Sequence, residues 1–308
     1  MVNAGDNTLS MFSVDPTDPT KLTLAGKPAN TLGQYPVAVA YSPKNSIACV
    51  INAGGNTNVA CLSVSKLGLT PLPYTVRSLG VTQTNPPTLP ANSPADVIFS
   101  QNESQLFISV RGDKTGPVAG FIDVYQAVSV GGIFALSFTP VKSTPSAAIL
   151  PFSLTPAGDN VIFNTDPAFG AVVSKFNAAG AIIASSNYTI DGQKGTCWSQ
   201  YSPRTSSFYV TDGGQPLVTE FAVNTATTTA KIIASHTLNG SSSQGRIDQA
   251  IGSSRIGDFF YALNPLGGSI DVAVLPGPGI VLQIQTFDLK TGVPALTTLV
   301  QGLAVYMI

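Results

Sequence analysis

The chain repeats itself. Asn3-Ala4-Gly5-Asp6-Asn7-Thr8 returns 49 residues later as Asn52-Ala53-Gly54-Gly55-Asn56-Thr57. An apolar, strand-like run follows each copy: Leu9-Ser10-Met11-Phe12, then Val59-Ala60-Cys61-Leu62. A period near fifty residues in a chain of short strands points to an all-β architecture, a β-propeller of four-stranded antiparallel blades. The 308 residues then read as one domain, 1–308, because repeat folds exceed the usual domain size.

In such a blade the innermost strand is short and apolar. A polar turn and a strong second strand follow. That pattern occurs five times in full. Residues 36–41 precede 47–51 across a turn at Pro43-Lys44-Asn45. Residues 95–99 precede 106–110, 150–154 precede 161–163, 197–201 precede 208–210, and 247–251 precede 259–263. The third unit places its turn at Ala157-Gly158-Asp159. A further innermost strand is expected over 302–307, and the N-terminus begins at the tail of a second strand. The expected ring therefore has six blades, the last shared between the N- and C-terminal segments; seven blades is the alternative.

Charged residues are only 10% of the chain and net charge is −1, with Lys and Arg scattered. This argues against a nucleic-acid or anionic-membrane partner. No apolar run reaches the length of a membrane span. Three N-glycosylation triplets start at Asn102, Asn187 and Asn239, and with the low charge they point to a secreted glycoprotein. No signal peptide stands at Met1, so either one has been removed or the protein is intracellular. Cys49 and Cys61 flank the turn 53–57 on adjacent strands. A disulfide and two buried thiols both fit that spacing. Cys197 is left over. The single histidine, His236, excludes a multi-His metal site, and reads as a surface residue of an outermost strand.

Several segments resemble the lactonase-like propeller family, more narrowly the secreted fungal proteins called 3-carboxymuconate cyclase-like. They are residues 2–5 with Asn7-Thr8 and Met11-Phe12; Cys49-Val50 with 52–55; Gly195-Thr196-Cys197-Trp198-Ser199; Tyr209-Val210-Thr211-Asp212; and 300–305. The resemblance implies lactone hydrolysis or muconate cycloisomerisation on a seven-bladed ring, with a channel His, Arg and acidic partners. This chain departs on both points. It counts to six blades, and its one histidine falls on an outer strand. No catalytic residue is carried over.

Propeller sites form where second-strand ends and innermost-strand starts meet. Here that face collects Asp6, Asp96, Arg111, Asp113, Asp166, Asp212, Arg246 and Asp248, with Tyr35, Trp198 and Gln301 nearby. Arg would clamp a carboxylate, and a crowded Asp would serve as base. The ligand-binding candidates are Arg111, Asp113, Arg246, Asp248, Asp96 and Trp198. The competing reading of each Asp is a turn cap. Asp166, Asp212, Asn164 and Asn264 are also hard oxygen donors of the kind calcium takes, a weaker reading because Glu103 and Glu220, the only glutamates, lie elsewhere. No cofactor and no metal is expected. A small polar molecule or carboxylate at the channel mouth is the expected partner, with oligomeric state open. The expected function is a binding or scaffold protein that has diverged from the family chemistry. The first alternative is a lactone hydrolase or muconate-type cycloisomerase using Arg and Asp. The second is a carbohydrate-binding propeller, against which the single Trp and unequal blades argue.

Overall fold

The computed structural model describes residues 1–88, 90–116, 118–239, 244–292 and 300–307. It divides into two compact units. The first holds Met1–Asn160 with Phe176–Ile183, the second Val161–Lys175 with residues 184 onward.

The first unit opens with short strands. β1 (Val2–Asn3), β2 (Thr8–Leu9) and β5 (Ala29–Asn30) form a three-stranded sheet, while β3 (Phe12–Val14) pairs with β4 (Leu22–Leu24). A four-stranded antiparallel meander follows: β6 (Gln34–Ser42), β7 (Ile47–Gly54), β8 (Asn56–Ser65) and β9 (Gly68–Thr82). Next come β10 (Pro94–Phe99), β11 (Gln105–Val110), β12 (Phe121–Val130) and β13 (Ile133–Leu136), with β14 (Val141–Ser143) also on β12. β15 (Leu154–Gly158) completes the unit's strands before the boundary.

β7 and β11 are buried at every position. That is why both read as continuous apolar runs rather than alternating ones. Leu106, Ile108 and Val110 of β11 and Tyr125 of β12 meet Cys49, Ile51, Val59 and Cys61 of the neighbouring sheet in one core. Cys49 faces Cys61 across the β7–β8 ladder, and the two form a disulfide with Cα atoms 4.0 Å apart. Of the two readings the spacing left open, the bridge is the one the structure carries.

The second unit begins with the hairpin β16 (Val161–Asp166) and β17 (Gly170–Phe176), followed by β18 (Ile182–Thr189). Two four-stranded meanders follow. One is β19 (Thr196–Ser202), β20 (Ser207–Asp212), β21 (Leu217–Asn224) and β22 (Thr229–Thr237). The other is β23 (Asp248–Ser253), β24 (Asp258–Asn264), β25 (Ser269–Gly277) and β26 (Ile280–Asp288). Tyr209 and Val218 of the first pack on Phe260, Ala262, Ala273 and Leu275 of the second. Phe163 stacks on Phe208, with ring centroids 4.9 Å apart.

Four of the five innermost strands fall where the sequence places them: β6, β10, β19 and β23. The third is displaced. Residues 150–153 are not strand, and β15 runs from Leu154 into the expected turn. Pro151 has no N–H to give a ladder, and its ring fills the space where a Gly120 Cβ would stand. The strand expected over 302–307 is also absent. That segment lies along β23, with Val305 and Met307 against Gly252. The N–H groups of Gly302 and Leu303 bond the Asp248 carboxylate.

Candidate functional site

In the first unit the candidates lie where β10 begins and β11 ends. Asp96 is buried. One carboxylate oxygen accepts the N–H of Val97 at 2.8 Å and the other the N–H of Leu154, first residue of β15, also at 2.8 Å. The side chain thus ties one innermost strand to the next. Arg111 follows β11. Its Nε and Nη2 donate to Ser93 Oγ at 3.1 and 2.8 Å, and its guanidinium stands 5.5 Å from the Phe152 ring. Asp113 is half-exposed in the following turn. It accepts both the N–H and the hydroxyl of Thr115, which hold its carboxyl below the usual range. Asp6 is exposed in the β1–β2 turn. The Tyr35 N–H donates to Asn7 Oδ1 at 2.8 Å.

In the second unit Asp248 repeats the Asp96 arrangement. Its Oδ1 accepts the N–H of Gln249 at 2.7 Å, and its carboxylate takes the N–H groups of Gly302 and Leu303. Burial pushes this carboxyl up to about 6 against the opposing pull of those N–H groups. Asp212 is buried and accepts the N–H groups of Gly214 and Lys194 and the Gln215 side-chain amide. Asp166 accepts the N–H of Ala168 at 2.9 Å. Asn264 accepts the N–H of Gly267. The Trp198 carbonyl accepts the Gln249 side-chain amide at 2.7 Å. Gln301 is exposed. Among the described residues, no three His, Cys, Asp or Glu side chains gather as a metal would need.

Arg246 is fully buried. Its Nε donates to Asp271 Oδ2 at 2.6 Å and its Nη1 to the Gln244 carbonyl. Asp271, also fully buried, takes Gln283 Nε2 at 3.1 Å and Thr286 Oγ1 at 2.7 Å on its other oxygen. Arg246 therefore sits in a buried ion pair with Asp271, while its Nη2 is buried without a partner.

Four buried acids escaped the sequence reading; Asp258, which accepts the Ser202 hydroxyl at 2.6 Å, joins the three that follow. Asp271 is one. Asp123 on β12 is another, 1% exposed, with neither carboxylate oxygen bonded. Burial pushes it up to about 6, opposed by the charge of Lys142 on β14. Both stand in the same tripeptide, Ile122-Asp123-Val124 and Ile270-Asp271-Val272, on the third strand of their sheets. That repeat is a signal in the sequence that would have found them together. Glu220 on β21 is the third. Its Oε2 accepts the Gly279 N–H at 2.9 Å and lies 3.6 Å from His236 Nε2. His236 is on the outermost strand β22 as expected, but its side chain is only 15% exposed, not a surface group. The register of β22 on β21 turns it toward Glu220.

No family model matches the chain, and no curated protein matches it. Solved structures do. A periplasmic gluconolactonase of Pseudomonas aeruginosa aligns with a TM-score of 0.69 at 18% identity, covering 91% of this chain and 77% of its own. A candidate 6-phosphogluconolactonase from Bacteroides uniformis gives 0.69 at 15%, covering 92% and 78%. Another candidate, from Bacteroides fragilis, gives 0.53 at 11%, covering 94% and 97%. The chain has the lactonase-like β-propeller fold. At these identities the likeness establishes the fold alone. The antiparallel meanders β6–β9, β19–β22 and β23–β26 are among the four-stranded blades of this propeller.

Proposed function

We propose that this lactonase-like propeller is a secreted fungal glycoprotein of the 3-carboxymuconate cyclase-like group, one domain over 1–308, that binds or scaffolds rather than catalyses. One observation carries the reading. The side chains that would serve a lactone are already bonded to the protein's own frame: Asp96 and Asp212 to backbone N–H groups, Arg111 to Ser93, and Arg246 to Asp271. The sole histidine faces Glu220 on an outer strand. The disulfide supports an oxidising compartment. Asn102, Asn187 and Asn239 are all exposed, which supports glycan attachment. The proposed ligand is a small polar molecule or carboxylate, with Arg111 as its candidate partner in the first unit.

A second reading rests on the three fold neighbours above, each a lactonase or candidate by description. Under it the chain hydrolyses a lactone, and Asp248 supplies the base because its carboxyl is raised to about 6. Calorimetric titration with gluconate and with a small dicarboxylate tests the binding reading. Saturable heat that Arg111→Ala diminishes is the expected result. No heat with either compound in the wild type removes the ligand class.

A further inference from the structure

Both copies of the sequence repeat, residues 3–8 and 52–57, grip the segment 31–35 of the first unit. From the first copy, the Asn7 carbonyl accepts the Thr31 N–H and hydroxyl, each at 3.0 Å, and Asn7 Oδ1 accepts the Tyr35 N–H at 2.8 Å. From the second, Asn52 Nδ2 donates to the Thr31 carbonyl at 3.1 Å. Leu32 and Tyr35 are thereby held in the left-handed region, at φ +58° and +56°, which bulky L-residues rarely adopt. The second copy also holds the segment that follows β9. The Gly55 N–H donates to the Thr84 carbonyl at 3.3 Å, and the Gly55 carbonyl accepts the Gln83 N–H at 2.8 Å.

The tip of the β7–β8 hairpin is thus flanked by two fixed segments, and their side chains close over it. A Cβ on Gly54 would stand 2.7 Å from Asn85 Oδ1 and 3.1 Å from Tyr35 Cβ, and one on Gly55 would stand 2.5 Å from Gln34 Oε1. Glycine leaves room for all three. Asn56 follows them, exposed. Among the described residues, the side chains of Gln34, Tyr35, Asn56 and Asn85 have no hydrogen-bond partner within the protein. Arg111 and Arg246, by contrast, are bonded to the frame. Residues 30–35, 52–58 and 82–88 carry no charged side chain.

We propose that this hairpin tip binds a neutral polyhydroxylated molecule, a sugar ring with its hydroxyls free. Each carboxamide offers a donor and an acceptor in one plane, which matches a pair of neighbouring hydroxyls. Tyr35 adds an aromatic ring for the C–H face of the sugar and a phenol for its edge. A carboxylate would gain no counter-ion from these three stretches. The left-handed backbone at Tyr35 is strain of the kind that persists where a side chain is held for a ligand. The site shares neither residues nor ligand charge with the carboxylate reading of Arg111.

The test is an NMR titration of the intact protein with methyl glucoside, methyl mannoside and methyl galactoside, followed at the side-chain amides of Gln34, Asn56 and Asn85. At least one glycoside is expected to shift these amides saturably in the millimolar range. Gln34→Ala and Asn85→Ala should each weaken that binding about fivefold, the loss of one hydrogen bond. Both should melt with the wild type, because the fold bonds neither side chain. Succinate, a carboxylate without hydroxyls, should leave the three amides unmoved. The site is overturned by amides that no glycoside shifts, by unchanged affinity in folded Asn85→Ala, or by succinate moving the amides as a glycoside does. Should Asn85→Ala fail to fold, Gln34→Ala decides by the same criterion. Failure of the gluconate calorimetry at Arg111 would leave each of these outcomes as it stands.

Discussion

The sheet β10–β14 and the sheet β23–β26 are built on one plan, and they differ at one buried atom pair. Each has an Asp within the first three residues of its innermost strand, Asp96 or Asp248, whose carboxylate takes its own neighbour's N–H and an N–H from one repeat further along. Each carries Ile-Asp-Val on its third strand. In β23–β26 the acid, Asp271, has Arg246, Gln283 and Thr286. In β10–β14 the acid, Asp123, has no bonded partner on either oxygen. The fold tolerates the same acid in both places, so the Arg246 guanidinium is not what makes the plan work. It gives one copy of the acid a counter-ion. The other copy is left as a stored cost that depends on pH.

The largest expected effect breaks the paired copy. Arg246→Met takes the counter-ion from the buried Asp271 carboxylate, and should cost about 3 kcal/mol in chemical denaturation at neutral pH. Adding Asp271→Leu should restore most of that loss, because the pair itself contributes little beyond what apolar packing would. A double variant no better than Arg246→Met would mean that the pair is worth more than its absence from β10–β14 implies.

The next prediction has the opposite sign. Asp123→Asn should stabilise the protein by about 2 kcal/mol at pH 7.5. The folded carboxyl is raised to about 6. Its burial cost is therefore full above that pH, and fades as pH falls toward about 4, the unfolded value. Wild-type stability should rise on acidification through that window, and Asp123→Asn should flatten part of the rise. Asp248, raised in the same direction, should supply the remainder. A urea series at several pH values measures both. The smallest effect sharpens the shared part of the plan. Asp96→Asn keeps one acceptor and loses its charge, and should cost about 1 kcal/mol; in Asp248→Asn the lost acceptor is offset by the relieved burial of charge, and the net change should be smaller. Amide exchange should then rise at Leu154 in the first and at Gly302 and Leu303 in the second. Equal exchange at those amides would sink the tie between successive innermost strands.

Most of the ladder was legible because an apolar strand, a polar turn and a second apolar strand recur at a near-constant interval. The misreadings have local causes. Pro151 delays β15 by lacking an N–H, and the amides of Gly302 and Leu303 go to a side chain rather than to a strand. The disulfide was legible as one of two readings, since spacing across a hairpin brings Cys49 and Cys61 opposite each other. The roles of the charged residues were less so. Asp96 is bonded to an amide 58 residues away, a distance at which sequence spacing gives no geometry. His236 was placed on the right strand. Its partner was hidden because the β21–β22 register slips at Glu220 and Phe221, and that slip decides which side chains meet.

The central claim is that the acids and arginines at the strand ends hold the protein together and turn over no lactone. The most direct measurement is hydrolysis of gluconolactone by the purified protein at neutral pH, followed by acid release against the uncatalysed rate. The account predicts no acceleration over the buffer alone. Saturable hydrolysis that disappears in a folded Asp248→Asn variant would contradict it and make Asp248 a catalytic residue.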